Sequence, residues 1–231
     1  MYLLVRLTFL FHLMTYAETL TSISKLEDKI VELQAQENLI TPNRLEELNY
    51  LAGTIHAQKE EMGFSKVTWV CTHNSRRSQL AQIWFWKALQ HYKIEKIKSY
   101  SGGTETTAFN HRMVKAVKDA GFRLYQRDET ENPRYAARIG DAYESELLLF
   151  SKKFTDEFNP QKDFIAVMVC SQADQECPFV PGAYTRVALP YEDPKVADDT
   201  PQEGEAYAKK VDEIGREVLY LIKQLSELES K

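Results

Sequence analysis

Residues 67–78 read V-T-W-V-C-T-H-N-S-R-R-S, and they predict a strand, a short loop and the start of a helix in succession. The first four residues, Val67–Val70, predict a short buried strand. The residues after Arg77 predict a helix over Ser78–Tyr92, because apolar side chains recur there at a spacing of three and four. The connection from Cys71 to Ser78, which we call the cysteine loop (residues 71–78), therefore runs from a strand into a helix.

The cysteine loop contains Cys71 and Arg77 with five residues between them, followed by Ser78. Backbone N–H groups of a short loop that enters a helix point inward and bind anions. The planar guanidinium of Arg77 matches a tetrahedral oxyanion, and Ser78 can donate a hydrogen bond to the sulfur. This positive potential predicts a lowered pKa for Cys71, and hence a nucleophilic thiolate near neutral pH. The alternative interpretation is a buried cysteine beside a surface arginine, since free cysteines are often buried.

The chain beyond the cysteine loop continues to alternate between strands and helices. Strands are predicted at Lys96–Ser101, Leu147–Phe150, Phe164–Cys170 and Thr185–Leu189, and helices at Arg112–Ala120 and residues 204–228. Residues 129–141 are polar and are predicted to be irregular. This alternation indicates an α/β fold with a largely parallel sheet covered on both faces. Ligands of such sheets bind beyond the carboxyl ends of the strands, where Cys71 lies.

Two segments precede this region. Residues 1–16 are apolar and are interpreted as a leader or a misassigned start, with a secretory signal as the alternative. Residues 17–62 predict a helical hairpin extension, whose second helix begins at Thr41 with Pro42 in its first position. The extension contains no motif with recognisable chemistry. Residues 64–231 form the predicted catalytic domain.

Composition limits the partners and the compartment. The net charge of -5 argues against a nucleic-acid surface, which is normally basic. Three cysteines do not make a secreted disulfide framework, so we expect a reducing, cytoplasmic location. The apolar leader is too short for a secure membrane span, and we expect no membrane partner. The histidines lack the spacing of metal ligands, so we predict neither a metal nor a cofactor.

The sequence from Cys71 to Gln79 resembles the active-site loop of low-molecular-weight protein tyrosine phosphatases and thioredoxin-coupled arsenate reductases. The resemblance extends from about Lys66 to the C-terminus and implies a flavodoxin-like three-layer fold with a central, largely parallel four-stranded sheet. It also implies that Cys71 is the nucleophile and that Asp193, in the pair Asp193-Pro194, is the general acid. The implied oxyanion-binding residues are Arg77, Thr72, His73, Asn74, Ser75, Arg76 and Ser78. Without the resemblance, Asp193 would be interpreted as an ordinary turn residue.

The other two cysteines, Cys170 and Cys177, distinguish between the two activities. Cys177 lies seven positions after Cys170, which is a rise of about 10 Å on a helix or about 23 Å when extended. A disulfide needs Cα atoms about 4.4–6.8 Å apart, so this pair can form one only after a conformational change. The resemblance implies a relay in which Cys71 attacks arsenate, Cys170 attacks Cys71, and Cys177 takes over Cys170, leaving a disulfide for a thioredoxin-like reductant. We therefore prefer arsenate reduction, an arsenic detoxification reaction.

Alternatives to the reductase remain open. In the second interpretation, the protein is a protein tyrosine phosphatase that passes through a phosphocysteine, and Cys170 and Cys177 are structural. A non-catalytic phosphate-binding regulatory module is a third interpretation. Tyr191, two residues before Asp193, could line a slot for a phenyl ring or be partly buried.

The cysteine loop departs from the family pattern at two positions. His73 stands where the family usually has glycine, so it either strains the backbone or adds positive charge near the oxyanion. Arg76 stands where a second loop cysteine is common, and its charge is expected to be solvated. Outside the loop, Gln82 replaces an acidic residue of the potassium site found in some arsenate reductases, so no such site is predicted.

Overall fold

The computed structural model describes residue 21 and residues 24–138, 146–176 and 179–230. The predicted leader, residues 1–16, and Cys177 lie outside these residues. In chain order the helices are α1 (residues 24–34), α2 (Pro42–Met62), α3 (Arg77–His91), α4 (His111–Asp119), α5 (Ser171–Glu176) and α6 (Glu203–Glu229). The strands are β1 (Ser65–Cys71), β2 (Ile97–Gly103), β3 (Arg123–Gln126), β4 (Tyr135–Arg138), β5 (Glu146–Leu149), β6 (Phe164–Met168) and β7 (Ala183–Ala188).

Four strands form the main sheet, in the order β2-β1-β6-β7, and all neighbours are parallel. This confirms the predicted α/β fold with a four-stranded parallel sheet. Strand β1 lies inside the sheet and is buried along nearly its whole length, as its apolar run predicted. It ends at Cys71, so the cysteine loop begins at the carboxyl edge of the sheet.

The second sheet is smaller, with the antiparallel order β3-β4-β5. The strand predicted at Leu147–Phe150 belongs to this sheet, as β5. The prediction that residues 129–141 are irregular is wrong at residues 135–138, which form the central strand β4. Its run Tyr-Ala-Ala lacks the alternation of apolar and polar residues that marks a half-buried strand, because all three side chains are buried.

Helix α2 begins where the Thr-Pro pair predicted. The hydroxyl of Thr41 accepts a hydrogen bond from the backbone N–H of Arg44, and Pro42 occupies the first turn. The helix ends at Gly63, which adopts the left-handed conformation at φ 76°. Its buried side chains share one core with those of the main sheet. The predicted domain boundary between residues 62 and 64 stays a prediction.

Helix α6 packs against α2, α3 and α4. The close approach of α6 to α3 depends on Gly215, where an added Cβ would lie 2.6 Å from Cε2 of Trp84. Among the residues that the structure describes, no helix is both long enough and apolar enough to cross a membrane.

Candidate active site

Two cysteines lie side by side at the carboxyl edge of the main sheet. Strand β1 ends at Cys71, and the neighbouring strand β6 leads into Cys170. The segment after β6 remains paired with β1, because the N–H of Val169 donates to the carbonyl of Val70 over 2.8 Å. The hydroxyl of Thr72 lies 3.5 Å from Sγ of Cys170. Both cysteines are buried and neither forms a disulfide in this conformation.

The cysteine loop bends around the sulfur of Cys71. The N–H of Asn74 donates to this sulfur over 3.1 Å, and the hydroxyl of Ser78 lies 3.0 Å from it. The bend requires one left-handed residue, which is Asn74 at φ 47°. Asparagine tolerates this conformation better than most residues. The backbone strain considered for His73 therefore falls one residue later, on a residue suited to it.

The side chain of Asn74 organises the loop from within. Its amide nitrogen donates to the hydroxyl of Ser78 over 2.8 Å. Its carbonyl oxygen accepts from the side chain of Gln79 over 3.1 Å and from the N–H of Lys152 over 3.0 Å. Asn74 is fully buried, so its side-chain amide stabilises the loop and only its backbone N–H reaches the sulfur.

The segment after β5 supports the loop from outside, which the sequence did not indicate. The hydroxyl of Ser151 donates to the carbonyl of His73 over 2.8 Å. The side chain of Gln79 donates to the carbonyl of Phe150 over 2.7 Å. Most of these bonds end on backbone atoms, which any residue type could supply, so no sequence motif marks them.

The guanidinium of Arg77 connects the loop to residues 190–193, which we call the Asp193 segment. One terminal nitrogen donates to the carbonyl of Tyr191 over 2.7 Å, and the other donates to the carboxylate of Asp193 over 2.6 Å. The Nε of Arg77 is buried and has no hydrogen-bond partner. A buried donor without a partner is costly, so an oxyanion in the loop would satisfy it.

The side chain of Arg76 points away from the Asp193 segment, unlike that of Arg77. Its guanidinium donates to the hydroxyl of Tyr207 over 2.7 Å and to the carboxylate of Asp198 over 3.0 Å. Burial and the neighbouring Asp198 raise the pKa of Tyr207 to about 12, so this hydroxyl remains protonated and donates in turn to Asp198. The charge of Arg76 is therefore not solvated, since only 13% of its side chain is exposed, and its role in oxyanion binding stays a prediction.

Three further predicted residues are located as follows. His73 is exposed, and its Nε2 lies 3.3 Å from the carboxylate of Glu105. Thr72 and Ser75 are buried, and the hydroxyl of Ser75 donates to the carbonyl of Ala108 over 2.6 Å. The roles of these residues in oxyanion binding stay predictions.

Tyr191 cannot line a slot for a substrate ring. Its side chain is buried, and burial raises the pKa of its hydroxyl well above the ordinary value. Only its backbone faces the site, through the carbonyl that accepts from Arg77. Of the two positions considered for Tyr191, the structure therefore shows a buried one.

Burial raises the pKa of the Cys71 thiol, against the expectation of a lowered value. The hydrogen bond with Ser78, the charge of Arg77 and the N–H of Ser75 all oppose this rise, while the nearby Cys170 adds to it. The charge of Arg77 does not outweigh the effect of burial, and its guanidinium is paired with the carboxylate of Asp193 over 2.6 Å. A substrate oxyanion that replaced Asp193 as the partner of Arg77 would also be negative, so its binding would not help to ionise the thiol. Cys71 must therefore lose its proton before or during its attack on the substrate.

Gln82, which replaces the acidic residue of the potassium site found in some relatives, forms hydrogen bonds with β2. The side chain of Gln82 donates to the carbonyl of Ser99 over 3.2 Å and accepts from the hydroxyl of Ser101 over 2.6 Å. Within residues 24–138, 146–176 and 179–230, no group of three His, Cys, Asp or Glu side chains is placed to hold a metal ion.

Comparison with known proteins finds sequence relatives that are arsenate reductases. The arsenate reductase of Halalkalibacterium halodurans is 30% identical over 153 residues, which cover 66% of this chain and 91% of the relative. The arsenate reductase of Bacillus subtilis is 28% identical over 150 residues, covering 64% of this chain and 88% of the relative. No protein-family model matches the chain.

Solved structures give more distant matches. A low-molecular-weight phosphotyrosine phosphatase from Vibrio cholerae O395 has a TM-score of 0.47 and 14% identity, covering 71% of this chain and 98% of the other. An arsenate reductase in a phosphate-binding state has a TM-score of 0.41 and 17% identity, covering 70% and 99%. The sequence relative at 30% identity, aligned over nearly its whole length, decides the assignment. The chain belongs to the superfamily of arsenate reductases and low-molecular-weight protein tyrosine phosphatases, and it is an enzyme of one of these two types.

Proposed function

We propose that this protein is an arsenate reductase in which Cys71, Cys170 and Cys177 act in turn. The placement of two thiols carries the proposal. Cys71 ends β1 and Cys170 follows the neighbouring parallel strand β6, and the bond from the N–H of Val169 to the carbonyl of Val70 keeps the two segments side by side. A phosphatase has no use for a second thiol at this position. The name of the sequence relatives supports the same reaction.

The first step is attack by the Cys71 thiolate on the arsenic of arsenate. A sulfur–arsenic bond forms, and one arsenic-bound oxygen leaves as water once it has been protonated. Asp193 is the proposed proton donor, since its carboxyl group lies beside Arg77. The backbone N–H groups of the loop and Arg77 hold the other oxygens of the arsenate. Arsenic remains As(V) in this adduct.

The second step transfers two electrons to arsenic. The Cys170 thiolate attacks Sγ of Cys71, so that a disulfide forms as the sulfur–arsenic bond breaks. The bonding pair leaves with arsenic, which is released as arsenite, As(III). The thiolate of Cys177 then attacks Cys170, which frees Cys71 and leaves a disulfide between Cys170 and Cys177. A dithiol reductant of the thioredoxin type, in the cytoplasm, would return two electrons.

The exchange between Cys170 and Cys177 requires α5 to change. This helix occupies residues 171–176, which lie between the two cysteines, and the N–H of Ala173 donates to Sγ of Cys170 over 3.3 Å. Six helical residues rise about 9 Å, which exceeds the spacing of about 4.4–6.8 Å that a disulfide allows. Unwinding of α5 is therefore part of the proposed cycle.

The proposal is tested by counting free thiols. Fully reduced protein is mixed with one equivalent of arsenate, without added reductant, then unfolded and titrated. We expect the count to fall from three to one, because each turnover consumes two thiols. The Cys170→Ser variant is the matched control, and its count should stay at two. A wild-type count that stays at three would contradict the relay.

Hydrolysis of phosphotyrosine is the second candidate. The pairing of Arg77 with Asp193 favours it, because an oxyanion site beside a general acid is what phosphate monoester hydrolysis needs. The Cys170→Ser variant separates the two candidates, since it should stop arsenate reduction and spare phosphatase turnover. Labelling of Cys71 by iodoacetate would exclude the third interpretation, a phosphate-binding module with an unreactive cysteine.

A further inference from the structure

Two arginines from different parts of the chain hold the Asp193 segment. The carbonyl of Tyr191 accepts from Arg77, which belongs to the cysteine loop. The preceding carbonyl, that of Pro190, accepts from Arg44 over 2.5 Å. Arg44 lies on α2, in the N-terminal region that the sequence resemblance does not include. Successive backbone groups of the Asp193 segment are therefore fixed by two separate elements.

The whole guanidinium of Arg44 is committed to contacts around this segment. Besides its bond to Pro190, it lies over the ring of Tyr191, with Cζ 4.9 Å from the ring centroid. Its Nε lies 3.4 Å from the carboxylate of Glu217, and its remaining nitrogen donates to Glu47 over 2.7 Å. Only 17% of the side chain is exposed. Each edge of the planar fork thus has a partner.

The position of Arg44 in the helix indicates that these tertiary contacts matter. It lies in the first turn of α2, where the helix dipole disfavours a cation. Glu217 lies on α6 and is buried, and burial raises its pKa while the charge of Arg44 lowers it. Removing one partner of a buried ion pair leaves the other charge uncompensated. Arg44 therefore fixes α2, α6 and the Asp193 segment together.

We propose that Arg44 is a positioning residue for the general acid. By holding Pro190 and Tyr191, it places the carboxyl group of Asp193 beside Arg77 and the oxygen that leaves the substrate. The inference rests on the proposed role of Asp193 and adds a function for the N-terminal helices. Arg44 itself does not touch the cysteine loop in the contacts that the structure describes, so we expect its removal to affect oxyanion binding less than proton donation.

Proton donation gives this role a distinctive kinetic signature. A general acid matters most when the leaving oxygen is strongly basic and least when it departs readily as an anion. Misplacing Asp193 should therefore slow the hydrolysis of aryl phosphates with poor leaving groups and leave the hydrolysis of those with good leaving groups almost unchanged. A loss of fold, or of oxyanion affinity, would slow both kinds of substrate equally.

The experiment compares three variants of the full chain. Arg44→Ala removes every contact, while Arg44→Lys keeps a charge for Glu217 and loses the fork, so it protects against a failure to fold. Lys223→Ala is the matched control, because Lys223 pairs with Glu37 over 3.0 Å and so also links the N-terminal region to α6. None of the contacts described for Lys223 involves the Asp193 segment.

The readouts are the kcat and KM for aryl phosphates of graded leaving-group pKa, and exchange of the amide hydrogens within residues 189–193, where Pro190 has none. For the poorest leaving groups, we expect kcat of Arg44→Ala to fall by up to about 100-fold, as for a misplacement of about 1 Å. KM and the good leaving groups should change little, and Arg44→Lys should show a smaller loss with the same pattern. Exchange at residues 189–193 should accelerate in both Arg44 variants and not in Lys223→Ala.

Two outcomes would overturn the inference. One is unchanged exchange at residues 189–193 in Arg44→Ala, and the other is a loss that does not depend on the leaving group. The exchange measurement requires no turnover, so it tests Arg44 even if the protein reduces no arsenate. Conversely, a thiol count that stays at three in the wild type would overturn the relay and leave the placement of Asp193 by Arg44 intact.

Discussion

The cysteine loop and the Asp193 segment are the two halves of the candidate site, and different kinds of contact hold them. The loop is held mainly through backbone atoms. Ser151 donates to the carbonyl of His73, and the N–H of Glu105 donates to the carbonyl of Thr72 over 2.8 Å. The Asp193 segment has one backbone bond to the continuation of β6, from the N–H of Tyr191 to the carbonyl of Val169 over 3.1 Å. Its other contacts across the fold come from two long side chains, those of Arg44 and Arg77, and the side chain of Asp193 is 31% exposed.

This difference separates two functions within one site. Buried hydrogen bonds to the backbone of the loop leave the nucleophile and the oxyanion cradle in one fixed arrangement, which favours preorganised binding of charge. Arginine side chains can change partners, so the acid can approach or leave a bound substrate. We therefore expect changes around the loop to weaken binding and chemistry together, and changes at the segment to slow proton transfer without weakening oxyanion binding.

The largest expected effect comes from Asp193→Asn, which keeps the shape of the side chain and removes the acidic proton. We expect kcat for substrates with poor leaving groups to fall about 100- to 10,000-fold, the usual contribution of a general acid. Inhibition by inorganic phosphate should stay equal or become tighter, because Arg77 then has no carboxylate partner. Steady-state kinetics with phosphate as a competitive inhibitor measures both quantities.

Asp193→Asn should also change the pKa of the Cys71 thiol. Removing the negative charge that pairs with Arg77 strengthens the effect of the guanidinium, which lowers the pKa of Cys71. The pH profile of alkylation should therefore shift to lower pH in Asp193→Asn. If phosphate inhibition weakened as strongly as kcat fell, the separation between the loop and the Asp193 segment would be wrong.

A smaller effect is expected from Gly103→Ala, which disturbs the support of the cysteine loop. An added Cβ would lie 2.3 Å from the carbonyl oxygen of Glu105 and 2.5 Å from that of Thr72. The loop backbone must shift, so we expect a loss of stability of about 1–3 kcal/mol. Activity should fall by up to about 100-fold through misplacement of the reacting groups, with weaker phosphate inhibition as well.

Gly53→Ala is the matched control for this substitution. Gly53 lies inside α2, and an added Cβ would have no atom within 4 Å. Replacing a helical glycine with alanine should stabilise the protein by about 0.5–1 kcal/mol. Thermal unfolding then compares the stability of the two variants. Gly103 is required by the close packing of the cysteine loop, whereas no neighbouring atom requires a glycine at position 53. Equal stability of both would contradict the claim that the loop has a single tightly packed arrangement.

The sequence predicted the cysteine loop better than its surroundings, for a physical reason. A strand, an anion-binding turn and a helix follow one another locally, so residues 67–78 carry the whole pattern. The bond from Arg44 to Pro190 joins residues 146 positions apart and ends on a carbonyl. Such a contact leaves no periodicity in the sequence, and neither does the support from Ser151 and Lys152.

The neighbours Arg76 and Arg77 show the same limit within the loop itself. Both are arginines, and spacing from Cys71 marked only Arg77 as the cradle residue. The carboxylates that each binds, Asp198 and Asp193, lie more than a hundred residues later in the chain. The fold alone determines that one arginine faces the Asp193 segment and the other faces α6 at Tyr207.

The smallest expected effect concerns the hydroxyl nearest the sulfur. Ser78→Ala removes a hydrogen bond that lowers the pKa of Cys71, so the pKa should rise further above the ordinary thiol value. Because iodoacetamide reacts with the thiolate, alkylation of Cys71 at pH 7 should slow, and its pH profile should shift to higher pH. A hydrogen bond to a charged group contributes about 1.5–3 kcal/mol, so we expect about a tenfold slower reaction at pH 7.

Ser75→Ala provides the matched comparison within the same loop. The hydroxyl of Ser75 donates to the carbonyl of Ala108, whereas the influence of Ser75 on Cys71 comes through its backbone N–H, which alanine retains. Its alkylation profile should therefore coincide with that of the wild type. A shift of equal size in both serine variants would mean that the thiol responds to the loop as a whole. In that case the cysteine loop would be no more rigid than the Asp193 segment, because loss of one remote hydroxyl would have moved the backbone around the sulfur.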